Sequence, residues 1–219
     1  MLIGGIYLEE KIRIHNIVER TTVLGPGKRT AIWFQGCMRN CPGCMSQSSR
    51  PMNGGRVTTV KKVYDAIVKL EDIEGVTISG GEPFLQIDAL YSLIKNIKKN
   101  SKLSVVVYTG YTIAELRALE NYKINQLLET MIDILIDGEY VDALNDGVAL
   151  RGSSNQTVHF LTARYKDFEE LYNTKQRNAE IYVSSGELFF VGVPEKSMLE
   201  TWLNITNVLK NEKCNVSEN

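Results

Sequence analysis

"GVTISGGEPFLQIDALYSLIKNIKKNSKLSVVVYT", residues 75–109, decides the fold class of this chain. It opens on a β-branched run at 75–79 and turns through Gly-Gly-Glu-Pro. Apolar side chains then recur at i, i+3/i+4 and i+7 over 86–99, and a second apolar run follows at 103–109. A helical period between two such runs is the pattern of a βαβ unit with parallel strands. The alternation extends both ways. Strand patterns lie at 11–18 ("KIRIHNIV"), 30–35 ("TAIWFQ") and 131–137 ("MIDILID"). Helical patterns lie at 59–71 and 112–129, the second opened by a capping box of Thr112 with Glu115. An α/β fold with a mainly parallel sheet follows, and ligands in such sheets collect at the C-terminal ends of the strands.

Past residue 163 the rhythm changes. A helical stretch at 163–176 precedes a hairpin pattern, "AEIYVSSGELFFVGV" (179–193), and an amphipathic helical pattern at 195–210. No low-complexity linker separates these, so the chain divides into a main domain, 1–163, and an extension, 164–219, packed on it. The last residues, with Cys214, are expected to be loose.

A net charge of -1, from 25 basic and 26 acidic side chains, argues against a nucleic-acid partner, which needs a basic face. No apolar run reaches the roughly 20 residues of a membrane span. The first residues lack the order of a signal peptide, so a cytoplasmic location is expected. There, clustered cysteines read as metal-binding or catalytic, not as disulfides. The two histidines, His15 and His159, lie far apart in strand-like runs and read as structural.

Three of four cysteines, Cys37, Cys41 and Cys44, stand in "GCMRNCPGC" (36–44), directly after the strand at 30–35. Structural zinc takes four ligands, commonly as two pairs, and no second pair exists here. Catalytic zinc with three ligands typically includes histidine, and none is nearby. Three compact thiolates suit a 4Fe–4S cluster better, with one iron left open. The second motif, "SGGEPF" (79–84), reads either as an ordinary strand–turn–helix junction or as a ligand turn. In the second reading the glycines let the backbone approach a ligand and Glu82 accepts a hydrogen bond from an ammonium group.

Together the two motifs resemble those of the radical S-adenosylmethionine enzymes. The resemblance implies that S-adenosylmethionine supplies the missing ligand, its amino group held by the turn Gly80, Gly81, Glu82 and Pro83. "FQGCMRNCPGCMSQSS", "YTGYTIAEL" (108–116), "DILIDGEY" (133–140) and "RGSSNQ" (151–156) are similar to motifs of the glycyl-radical activating group, most closely the activators of anaerobic ribonucleotide reductase. That likeness covers roughly residues 15–160. It implies an oxygen-sensitive oxidoreductase that cleaves S-adenosylmethionine reductively and abstracts hydrogen from a glycine of a partner glycyl radical enzyme. A flavodoxin or ferredoxin would deliver the electron.

Further assignments follow from the resemblance and from strand-end placement. Thr109 and Tyr111 are candidates for the cosubstrate ribose, and Asp137 is a ligand-facing carboxylate. Arg151 is a bidentate partner for the cosubstrate carboxylate or for a partner loop. Asn155 is a partner or substrate contact. The implied fold is an incomplete, open barrel of five or six βα units (partial TIM type) with the cluster at its C-terminal mouth. Departures exist: "CMRNC" lacks a histidine associated with reductase activators, Met45 stands where they tend to carry an aromatic, and about 55 residues extend the C-terminus. That extension leaves a second reading open, direct modification of a small molecule or peptide, as in 7-carboxy-7-deazaguanine synthase. A zinc-binding interaction module is the remote third.

Overall fold

The computed structural model describes residues 9–184, 187–194 and scattered positions from 197 to 205. A seven-stranded sheet has the order β3-β1-β2-β4-β5-β6-β7. Its strands are β1 (Lys11–Thr21), β2 (Arg29–Phe34), β3 (Arg56–Thr59), β4 (Gly75–Gly80), β5 (Ser104–Tyr108), β6 (Ile134–Asp137) and β7 (Thr157–Phe160). The central strands β2, β4, β5 and β6 run parallel. β1, β3 and β7 are antiparallel to their neighbours. The parallel part therefore has four strands rather than five or six βα units. β5, "SVVVY", shows why the centre is parallel: Val105 and Val107 bury against the helices while Val106 buries on the opposite face.

One face of the sheet packs on α1 (Val60–Val68) and α2 (Ile87–Asn100), through Ile32, Phe34 and Ile78 against Val63, Ile67, Leu90 and Ile94. The helical pattern at 112–129 is not one helix. It forms α3 (Ile113–Ala118), capped by the expected Thr112–Glu115 box, and α4 (Tyr122–Gln126), followed by a π turn over Leu127–Met131. Glu120, at φ +50, breaks the run, and Asn121 caps the new helix by accepting from the Lys123 N–H.

After β7 the chain kinks at Tyr165, forms α5 (Glu169–Thr174) and continues into the hairpin β8 (Ala179–Ser184) and β9 (Glu187–Gly192). Helical residues recur among 197–205, but most of the pattern at 195–210 and all of the tail with Cys214 lie outside the described residues. No described helix is long and apolar enough to cross a membrane.

Candidate functional site

The register of β2 against β4 builds the site. Six pairs run from Arg29–Gly75 to Phe34–Gly80, so both strands end side by side. The cysteine loop and the Gly-Gly-Glu-Pro turn therefore leave the sheet together. Gly81 N–H donates to the Phe34 carbonyl and Glu82 N–H to the Gly36 carbonyl, each at 2.8 Å. A Cβ on Gly81 would stand 2.2 Å from the Gly36 oxygen, and one on Gly80 2.4 Å from the Phe34 oxygen. The glycine pair is thus required by the neighbouring chain, a reason distinct from the ligand approach expected of it.

The loop is closed at its base. Gly36 N–H donates to the Ser49 carbonyl (2.8 Å) and Cys37 N–H to that of Arg50 (2.9 Å). Buried Gln35 donates to the Pro51 carbonyl (2.7 Å), and His15 bridges Gln35 (3.0 Å) to Ser48 (3.1 Å). His15 is structural, as its sequence context implied.

Cys37, Cys41 and Cys44 are partly buried, free of disulfides, and line one cavity with Ser79, Gly80, Gly81, Glu82, Thr109 and Gly110. Burial pushes the Cys37 thiol above its ordinary pKa, with Glu82 and the other two cysteines adding to it; burial and Glu139 do the same for Cys41. Such a group of thiols needs positive charge to ionise, which bound iron would supply. Among the described residues lining this cavity there are three thiols and no histidine, a donor set that fits an iron–sulfur cluster better than the four-ligand set of structural zinc.

Glu82 is 2% exposed. Its Oε1 accepts from the Phe84 N–H (3.0 Å) and the Thr109 hydroxyl (2.9 Å), and its Oε2 from the Gly110 N–H (2.7 Å). Burial raises its pKa, although these three donors and the charge of Arg39 oppose the rise. The hydrogen-bonding donors are neutral, so a buried carboxylate facing a cavity retains capacity for a cation. This is the surrounding an ammonium group requires.

Other expected residues stand elsewhere. Pro83 is buried as the first residue of the 3-10 turn after Glu82. Tyr111 lies under the Arg39 guanidinium, 4.5 Å from its ring centre, and does not line the cavity. Asp137 accepts from the Ile113 N–H (2.7 Å) and the Thr157 N–H (3.2 Å), and its Oδ2 lies 3.0 Å from His159 Nε2. Burial works against its charge, but His159 and these N–H groups hold its pKa below the usual value. Asp137 therefore ties β6 to α3 and β7. Arg151 pairs with Asp146, and Asn155 donates to the Glu139 carbonyl (2.8 Å); neither lines the cavity.

Two residues had not been singled out. In the "RGSSNQ" loop Gln156 faces the cavity. Its carbonyl accepts from the Gly152 N–H (2.7 Å) while its amide donates to the Gly138 carbonyl (2.6 Å), pinning the loop to the end of β6. Arg39, between the first two cysteines, meets Glu139 at 2.8 Å and Glu115 at 3.5 Å, tying the cysteine loop across to α3 and to the end of β6. Two carboxylates converging on one arginine from distant segments had no local sequence signal.

Residues 23–159 match the family model described as a 4Fe-4S single cluster domain. An anaerobic ribonucleoside-triphosphate reductase-activating protein of Salmonella typhi is 32% identical over 158 residues, 68% of this chain and 99% of the relative. Its Escherichia coli K12 counterpart is 34% identical over 148 residues, 64% of this chain and 92% of the relative. A pyruvate formate-lyase-activating enzyme of Clostridium pasteurianum is 30% identical over 135 residues, 59% and 53% of the two chains. Among solved structures, QueE from Escherichia coli aligns with 51% of this chain and 58% of that one, at 17% identity and a TM-score of 0.42.

Proposed function

This chain belongs to the 4Fe-4S single cluster domain family, within the radical S-adenosylmethionine enzymes, and from that premise we propose its function. It activates a glycyl radical enzyme of the anaerobic ribonucleotide reductase type, by abstracting hydrogen from a glycine of that partner. A 4Fe–4S cluster held by Cys37, Cys41 and Cys44 would supply the electron for reductive cleavage of S-adenosylmethionine to methionine and the 5′-deoxyadenosyl radical.

The observation that carries this reading is the shared cavity of Cys37, Cys41, Cys44 and buried Glu82 at the ends of parallel strands. In it the three cysteines hold the cluster. Glu82 takes the cosubstrate amino group, with Gly80 and Gly81 keeping the turn against the cysteine loop and Thr109 orienting the carboxylate. Asp137, Arg151 and Tyr111 act by holding the surrounding loops. The sheet is the frame of an incomplete open barrel, residues 1–163, carrying the extension 164–219. A flavodoxin or ferredoxin in the cytoplasm is the reductant.

Anaerobic reconstitution tests this. About four irons per chain and 5′-deoxyadenosine formation after reduction with dithionite are expected. A glycine-centred radical on an added anaerobic ribonucleoside-triphosphate reductase completes the test. Stoichiometric zinc without cleavage would refute the reading; cleavage with modification of a small molecule, and no radical on the reductase, would move the target.

A further inference from the structure

The family match ends at residue 159, yet the cavity does not. Its lining also includes Leu24, Trp33, Tyr108, Gly192 and Val193, the last two from the end of β9 and just beyond it. Val191, 1% exposed, seats this part of the hairpin on Val18, Leu24 and Ala31 of the face opposite the helices.

The hairpin is fastened at both ends. Arg177, just ahead of β8, is 5% exposed and donates to the carbonyls of Val148 (2.9 Å), Gly152 (2.8 Å) and Pro194 (3.2 Å), and to Asn145 Oδ1 (2.8 Å). It thus joins the start of the hairpin, its end and the loop that carries Gln156. On β8, Glu180 accepts from the hydroxyls of Thr21 (2.6 Å) and Thr22 (2.5 Å) and from the Thr22 N–H (3.0 Å). Gly192, at φ +131, lies against Asn178, whose oxygen a Cβ would meet at 2.8 Å. The position of Val193 is therefore fixed by the fold.

Charge is distributed unevenly along this cavity. Its charged lining residues, Arg39, Arg50 and Glu82, all belong to the cysteine loop or the turn beside it. The hairpin residues that line it, Gly192 and Val193, are uncharged, and Leu24, Trp33 and Tyr108 beside Val193 are apolar or aromatic, so a charged substrate group set against Val193 would lose hydration there.

We infer that Val193 is a specificity-determining wall of the reaction cavity, shaping it for an uncharged, glycine-bearing main-chain segment. The inference rests on the radical reaction proposed above. In that reaction a glycine Cα–H bond breaks homolytically, the hydrogen joins the 5′ carbon of deoxyadenosine, and the unpaired electron stays on the glycine. Dithionite supplies the electron and S-adenosylmethionine is consumed.

The test uses the full, reconstituted chain and the peptide acetyl-Ala-Ala-Gly-Ala-Ala-amide, deuterated at glycine. Binding is read by calorimetry, and deuterium in 5′-deoxyadenosine by mass spectrometry. Wild type is expected to bind this peptide at least tenfold more tightly than an analogue with aspartates flanking the glycine, and to transfer deuterium. Val193→Trp should weaken binding at least tenfold. Val193→Ala should shift preference at least fivefold toward a peptide with phenylalanine beside the glycine, a gain that general loss of structure does not produce. An unchanged preference in Val193→Ala, or no peptide binding by wild type that cleaves S-adenosylmethionine, overturns the inference. Wild type that fails to cleave S-adenosylmethionine overturns instead the function on which it rests.

Discussion

Gly81→Ala is the sharpest test of how the site is assembled. The added Cβ would stand 2.2 Å from the Gly36 oxygen, 2.6 Å from its carbonyl carbon and 2.9 Å from its nitrogen. All three are backbone atoms, so no side chain can rotate away. Relief to an ordinary contact of 3.4 Å requires the cysteine loop and the turn to part. Parting breaks the Glu82 N–H to Gly36 bond and stretches the Gly81 N–H to Phe34 bond, both now 2.8 Å. Overpacking of this kind costs about 1–3 kcal/mol and each lost hydrogen bond about 1 kcal/mol. We therefore predict a loss of about 2–5 kcal/mol in chemical denaturation, and a fall in Tm of about 10 °C. Iron uptake on reconstitution should fall as well, because the displaced segment carries Cys37. Gly138→Ala is the comparison. There a Cβ meets nothing closer than 3.7 Å, but φ is +98, so the cost is conformational alone, about 1–2 kcal/mol. A Gly81→Ala protein within about 1 kcal/mol of wild type, or less affected than Gly138→Ala, would refute the argument.

Three further predictions rest on single groups. The Tyr108 hydroxyl is buried and has no hydrogen-bond partner among the described residues, and burial raises its pKa, so Tyr108→Phe should stabilise the protein by about 1 kcal/mol in urea denaturation; destabilisation would show that a partner exists. Asp137 has a depressed pKa in the folded state, so its contribution to stability is present above its unfolded value, about 3.9, and is lost as pH falls through the folded value. The stability gap between wild type and Asp137→Asn should accordingly be full at pH 7 and shrink below about pH 4, and a gap independent of pH would show that the charge is irrelevant. Glu82→Gln replaces a carboxylate oxygen by an amide that must face either the Gly110 N–H or the donors from Phe84 and Thr109. Affinity of the reconstituted protein for S-adenosylmethionine, measured by equilibrium dialysis, should drop at least tenfold, as expected for a charge-assisted bond of about 1.5–3 kcal/mol; unaltered affinity would remove Glu82 from the site.

What the sequence reveals about this molecule depends on how locally each feature is encoded. β5 was legible because "SVVVY" buries both faces, and its burial needs no knowledge of neighbours. The antiparallel direction of β1, β3 and β7 was not, since a strand's own pattern is the same whichever way its partner runs. The helix at 112–129 looked continuous by period. Its break lies in one backbone angle at Glu120 and one side-chain cap at Asn121, against an apolar spacing that runs straight through them. The site divides in the same way. Cys37, Cys41, Cys44 and Glu82 belong to contiguous motifs, and the register of β2 on β4 brings those motifs together without further choice. Within "RGSSNQ", a charge made Arg151 the conspicuous residue, yet Asp146 takes that charge. Gln156, which both donates and accepts, can bridge Gly152 and Gly138, and so stands at the cavity. Arg39 and Val193 are less local still. One gathers carboxylates from two other segments, and the other reaches the cavity through a hairpin more than 140 residues along the chain from the cysteines. The cysteine and Gly-Gly-Glu-Pro motifs are thus short and contiguous, whereas the partners of Arg39 and the placement of Val193 at the cavity depend on distant residues that only the folded chain brings together. Selectivity can therefore diverge at Val193 and its neighbours while the cysteine loop and the Gly-Gly-Glu-Pro turn stay the same. Activators that share both motifs can be compared on this point directly, by the side chain each places at the position of Val193 in the cavity lining.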